Sequence, residues 1–418
     1  MKFVDLNILE INYSRTYFFE TPRLTNTFFT LLTKINFIIK YCIKECIKDV
    51  LYLFKHKNFN HKNLIFYSSV NQYNAAYPLK NKLQNSIFIG VNSNSENRFY
   101  IGIGCILSLA LFPFFIYVVN KKYKDQKLKI IKYLPEYFNI YGMFIWWRFY
   151  LKRIKPKSII FPNDHLVWHR VLRIAAESSN IPTIYIQHAS VTERFPKLEF
   201  DLSLLEGQDA LDKYSKKGIN GKVILVGMLK FDKYYSMINH SKSAKTIGIC
   251  TNILDDESLI EKLCSELKFA FPEKTIILRP HPRDARFSFY KNLIVKFKIE
   301  FSDSKIENSF EFLQKVDVNI AGESSIHLEA VLLNVYPIYF QFSKNKLDHY
   351  GYIKNNLIMD YFDKTKPLID KINNIKNNKP TVRNRAKYYI DTIGSKHDGK
   401  SVEKALKIVK NLVENINH

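Results

Sequence analysis

The chain has 418 residues, 46% hydrophobic and 24% charged, with a formal net charge of +24. That length and balance exclude a disordered chain and a single small domain, and predict two domains with sizeable cores. Zinc-ligand spacings, a bZIP-type basic helix and RNP-like aromatic strands are all missing from the sequence, so no nucleic-acid partner is expected. The positive charge is assigned to an anionic membrane surface and to nucleotide phosphate, with a solvated lysine-rich surface as the alternative.

In chain order, the apolar runs at 64–67 and 87–91 have the length of buried strands. The run at 101–119, IGIGCILSLALFPFFIYVV, carries no charge and is followed by Asn120-Lys121-Lys122. It is long enough to span a bilayer. However, it lies between two pieces of one apparent domain, which favours lying on a membrane over crossing it; a helix pair kinked at Pro113 is the alternative. The aromatic segment 143–150, with Trp146 and Trp147, suits an interface. Strands follow at 158–161, 183–186, 201–205 and 222–226, with a helix of about four turns after the first of them. The polar stretch 237–245 reads as a linker.

The pattern restarts with strands at 245–249, 274–278, 299–301, 318–320 and 337–340, interleaved with helices near 256–270, 287–296, 309–316 and 325–333. Helices at 366–377 and 400–415 close the chain. Strands alternating with helices predict an α/β protein of two Rossmann-like, doubly wound parallel-sheet domains facing a cleft. The expected division is 1–236, linker 237–245, and 246–418. Ligands of such sheets sit at the carboxyl ends of strands.

Cys42, Cys46, Cys105, Cys250 and Cys264 are scattered and form no CxxC pair, which fits a reducing compartment. Residues 1–15 lack a basic region followed by an apolar block, so no secretory leader is read there. The expected location is cytoplasmic, peripheral at the inner face of the cytoplasmic membrane.

Three segments at strand ends carry the candidate chemistry. Arg279-Pro280-His281-Pro282-Arg283 presents a histidine and two arginines on a proline-stiffened turn, suited to phosphate. Gly322-Glu323-Ser324-Ser325 leads into a helix whose start offers hydroxyls and free N–H groups to an anion, although a serine there can equally be an N-cap. Glu329, one turn in, is placed to meet ribose hydroxyls. Gln187-His188-Ala189 puts His188 on the acceptor side as a candidate base, with Glu206 as another. Asp164 either orients a histidine or caps the next helix. Walker, GxGxxG, HExxH and GxSxG motifs are absent, and no DxD stands at a strand end, so neither a cofactor nor a metal-held nucleotide is expected.

Arg-x-His-Pro, a later Ser-Ser helix start and an upstream Gln-His together resemble bacterial GT-B-type glycosyltransferases. The chain is similar to capsule and lipooligosaccharide enzymes that use CMP-sialic acid or CMP-Kdo, and to CDP-glycerol polyol-phosphate transferases. The resemblance implies that His281, Ser324 and Ser325 hold a CMP- or CDP-linked donor and that His188 is the base. Ala189 stands where those enzymes have Gly, and Leu205 breaks the acidic-acidic-Gly pattern at Glu206-Gly207. The implied activity is inverting, metal-independent transfer to a glycan or lipid-linked glycan acceptor. A polyol-phosphate transferase and a UDP-sugar 2-epimerase-like enzyme are the alternatives.

Overall fold

A computed structural model describes residues 6–18, 31–53, 58–91, 95, 97–344 and 347–415. Two six-stranded sheets organise them, and every strand pair is parallel. The first holds β1 Asn63–Phe66, β2 Ser86–Ile89, β3 Ser158–Phe161, β4 Thr183–Ile186, β5 Leu198–Leu205 and β6 Ile219–Leu225, in the order β2-β1-β3-β4-β5-β6. The second holds β7 Thr246–Thr251, β8 Thr275–Pro280, β9 Glu300–Phe301, β10 Val318–Ala321, β11 Tyr336–Phe340 and β12 Tyr361–Phe362, in the order β12-β11-β10-β7-β8-β9. Central strands such as β1, β3 and β4 are buried at all four positions, as a sheet covered on both faces requires. The doubly wound pair is therefore as expected, and only β12 adds a strand to those anticipated.

The division at 237–245 needs one correction. The Ser401–Asn415 helix does not finish the second domain but returns to the first, where Val402, Ala405, Val409 and Val413 are buried with Ile65, Leu79, Phe88 and Ile160. The returning chain passes so close to Gly207 that a Cβ there would lie 2.2 Å from the Tyr389 carbonyl oxygen. Beside it the Asp391 N–H donates to the Glu206 carbonyl at 2.9 Å. Glycine is thus required at 207 by a backbone crossing, at the very end of β5.

The apolar run at 101–119 is two helices, Gly102–Ala110 and Phe112–Lys122, bent by 64° with Pro113 in the first turn of the second. Among the described residues no single helix is long and apolar enough to cross a membrane. The first helix is packed into the domain. A Cβ on Gly142 would lie 2.2 Å from Ser108 Oγ, so that glycine lets the Asn139–Ile154 helix touch it. Asp49, on the Leu31–Leu53 helix, accepts from the Ile101 and Gly102 N–H groups at 2.9 and 2.5 Å and caps the start of the Gly102–Ala110 helix.

Candidate active site

The carboxyl ends of the two sheets face each other across a cleft of about 540 Å³. His188 and Glu206 of the first domain line it together with Arg279, His281, Ser324, Ser325 and Glu329 of the second. Seven of the expected site residues thus share one cavity, although they are far apart in sequence. Arg283 and Gly322 do not line it, and Asp164 lies beneath it, buried.

On the first-domain side, β4 and β5 end side by side, and Gln187 ties them together. Its side-chain oxygen accepts from the Glu206 N–H at 2.9 Å, and its Nε2 donates to Glu206 Oε2 at 3.2 Å. The Glu206 carboxyl is buried, which pushes its pKa up to about 8; the nearby Lys230 cation holds it lower than burial alone would, while Glu329 acts the other way. A carboxyl that titrates near neutral pH is suited to proton transfer. His188 differs: burial first, then the neighbouring His165, push its pKa down to about 3, so it stays neutral, and its Nδ1 is buried without a partner. A neutral imidazole of such low basicity orients groups better than it captures protons.

Asp164 does orient a histidine, but that histidine is His165. Its Oδ1 meets His165 Nδ1 at 2.9 Å, and its Oδ2 accepts from the Tyr214 hydroxyl at 2.6 Å. The His165 and His188 rings lie 6.4 Å apart between centroids. The Val167–Glu177 helix has no side-chain cap; Asn163 Oδ1 instead holds the turn before it, accepting from the His165 and Leu166 N–H groups at 3.0 and 2.8 Å. Both Asp164 oxygens are engaged, so it supports the wall of the site and does not reach the cleft.

On the second-domain side, His281 Nδ1 accepts from the Arg283 N–H at 3.1 Å, which leaves Nε2 to carry the proton of a neutral ring. Burial, helped by the Arg283 charge, lowers its pKa. The turn is fastened by Arg286, which donates to the Asn252 and Asp255 carbonyls at 2.9 and 2.7 Å and to Asp284 Oδ1 at 2.9 Å. Arg279 departs from expectation. It is buried, with its guanidinium donating to Ser302 Oγ at 2.6 Å and to the Glu307 carbonyl at 2.8 Å while lying 5.2 Å over the Phe312 ring. It shapes the 302–308 wall and has little of its fork left for a ligand.

The serines are not spent on capping. Ser325 makes no side-chain cap bond to the Ile326–Leu332 helix, and Ser324 Oγ reaches the Ile326 N–H only at 3.4 Å. Both hydroxyls can therefore serve a ligand. The turn before them is set by buried His327, which bonds the Gly322 carbonyl at 3.0 Å. Gly322 is not there for close approach, since an added Cβ would meet its neighbours at an ordinary 3.5 Å.

Lys230 went unrecognised in the sequence. It follows β6, lines the cleft, and sets its Nζ 2.5 Å from Glu329 Oε1, which removes Glu329 from a free ribose-binding role. Lys233 and Lys305 add cations to the same walls. The position of Lys230 just past a strand end was the available signal. Among the described residues no group of three or more His, Cys, Asp or Glu could hold a metal ion.

Two Rossmann-type domains with their strand ends across a cationic cleft define the GT-B fold. No protein-family model matches the chain, and no curated protein does. Solved structures do. S. aureus MnaA, solved with UDP, is 11% identical, covers 86% of this chain and 98% of its own, and superposes at a TM-score of 0.51. UDP-GlcNAc 2-epimerase from Neisseria meningitidis, bound to UDP-GlcNAc, gives 12%, 84%, 100% and 0.51. The wall teichoic acid polymerase TagF aligns over 93% of this chain and 99% of its own at 13% identity, with a lower TM-score of 0.47. The first two share the fold with this chain, and the likeness extends no further than the fold.

Proposed function

We propose that the chain is a glycosyltransferase that moves a sugar from a cytidine-nucleotide donor to a hydroxyl of a growing surface polysaccharide or lipooligosaccharide. The observation that carries this is the single cleft in which Glu206, tuned to about 8, faces His281 and two uncommitted serine hydroxyls. Ionised Glu206 takes the proton of the acceptor hydroxyl, whose oxygen bonds to the anomeric carbon. The bond from that carbon to phosphate oxygen breaks, and its electron pair leaves with the phosphate. Single displacement inverts the anomeric centre. His281 Nε2–H, the serine hydroxyls and Lys233 lie on the walls where phosphate charge grows, and donors aimed there lower the barrier.

The buried carboxyls Glu206 and Glu329, on either side of Lys230, favour a second reading in which the sugar is epimerised on its own nucleotide. The purified chain should be incubated with CMP-sialic acid, CMP-Kdo, CDP-glycerol and UDP-GlcNAc, with and without a glycan acceptor and with a chelator present. Acceptor-dependent release of CMP from a CMP-sugar supports the first reading, and from CDP-glycerol indicates polyol-phosphate transfer. Epimerised sugar without acceptor supports the second. Turnover of none of the four sinks both.

A further inference from the structure

A second cavity, also of about 540 Å³, opens on the first domain. Tyr41, Lys44, Lys48, Tyr67 and Trp168 line it, and Val70 lines both this cavity and the main cleft, so the two adjoin. Glu45 is on its wall as well, but its carboxylate is engaged by Lys48 at 2.8 Å and by the buried Arg98 guanidinium. Arg98 also holds Asp49 at 2.7 Å. Both acids of the Leu31–Leu53 helix are thereby turned inward, while Lys40 and Lys44 stay exposed.

The same helix exposes Ile43, Ile47 and Leu51 by 56%, 56% and 62%, one stripe at four-residue spacing. Gly102 rests on it, where a Cβ would lie 2.7 Å from Cys46 Cα, so the exposed Ile103 and Ile106 of the Gly102–Ala110 helix extend the apolar surface. Lys121 and Lys122 end the helix that follows. Contiguous exposed apolar rows mark a contact surface, and lysines beside them match anionic lipid.

We propose that this face seats on an anionic lipid bilayer and that the adjoining cavity receives the phosphate-bearing head group of a bilayer-borne acceptor between Lys44 and Lys48. The acceptor's reacting hydroxyl then passes Val70 into the main cleft. The acceptor half rests on the glycosyl-transfer reading, whereas the bilayer half stands without it.

The test is co-sedimentation of the full chain with phosphatidylcholine vesicles, with and without phosphatidylglycerol. Wild type should sediment with the anionic vesicles. Ile43→Ser with Ile47→Ser, or Lys40→Glu with Lys44→Glu, should lower partition about tenfold or more, with melting temperature and nucleotide-induced stabilisation unchanged. Wild type left in the supernatant with both vesicle types overturns the bilayer seat. Unaltered partition of both double variants does the same, as does an isoleucine variant that merely converts a dimer to a monomer. For the head-group site, Lys44→Glu should raise KM for a detergent-solubilised phospholipid-linked acceptor at least fivefold while sparing KM for a soluble glycan, whereas Lys40→Glu, off the cavity wall, should spare both. Equal effects on both acceptors overturn it. Vesicle binding without any response to nucleotide would sink the glycosyl-transfer reading and leave the bilayer seat standing.

Discussion

Lys230 Nζ lies 2.5 Å from Glu329 Oε1, an ion pair that fastens the connection between the domains to the helix behind the two serines. Lys230 also faces Glu206, and its charge is what restrains the rise of that carboxyl's pKa. One ammonium thus bears on both the geometry and the acidity of the cleft.

Removing that ammonium should have two separable effects. Lys230→Met leaves Glu329 without its partner, and breaking such a pair costs about 3 kcal/mol, discounted here for partial exposure. It also lets the Glu206 pKa climb, so the rise of kcat/KM with pH should move to higher pH. Urea denaturation reads the first effect and a pH–rate profile the second. An unmoved profile would separate Lys230 from Glu206.

Glu206 itself should set the pH dependence of the wild type. With its pKa at about 8, activity climbs with pH and levels off above that value. Glu206→Gln should lower kcat by about a hundredfold or more without weakening nucleotide binding. A folded-state pKa above the unfolded one means stability is full in acid and is lost as pH rises to about 8. The glutamine variant escapes that loss. Its melting temperature should match the wild type's near pH 4 and exceed it by several degrees at pH 9. The reverse order would mean that the carboxyl is not buried as described.

His188 titrates at about 3 and should contribute no ionisation between pH 5 and 9. His188→Asn should reduce activity while keeping the shape of the pH profile. A lost limb in that range would return the base to His188.

The Ser401–Asn415 helix completes the first-domain core. Val409→Asp puts an unpaired charge among Ile65, Leu79 and Ile160 and should cost about 3 kcal/mol or more, or prevent folding. A variant at the exposed Lys407 should be near neutral in the same urea titration.

The parallel strands were legible because central strands of a two-faced sheet are short, continuous apolar runs, as at 158–161 and 183–186. Placing His188, Glu206, His281 and the serines at strand ends followed from that alone. What escaped was tertiary. Two-residue β12 is too short to show a pattern, and nothing local tells the last helix to cross back to the first domain. The Leu31–Leu53 helix mixes lysine into an exposed isoleucine stripe, which blurs a polar-out signal. Arg279 is of a residue type that suits phosphate, but its partners on 302–312 are set by a fold that sequence does not display. Lys230 was hidden among many lysines, most of them surface charge.

The proposed function requires that His281, Ser324 and Ser325 grip a nucleotide's phosphate in the inter-domain cleft. A thermal-shift series with CMP, CDP, UMP, UDP and GDP tests it most directly. Wild type should be stabilised by at least one cytidine nucleotide, by about 2.7 kcal/mol at a hundredfold excess over Kd, and His281→Ala with Ser324→Ala should abolish the shift. Equal stabilisation of wild type and the double variant, or none of wild type by any of the five, would contradict it.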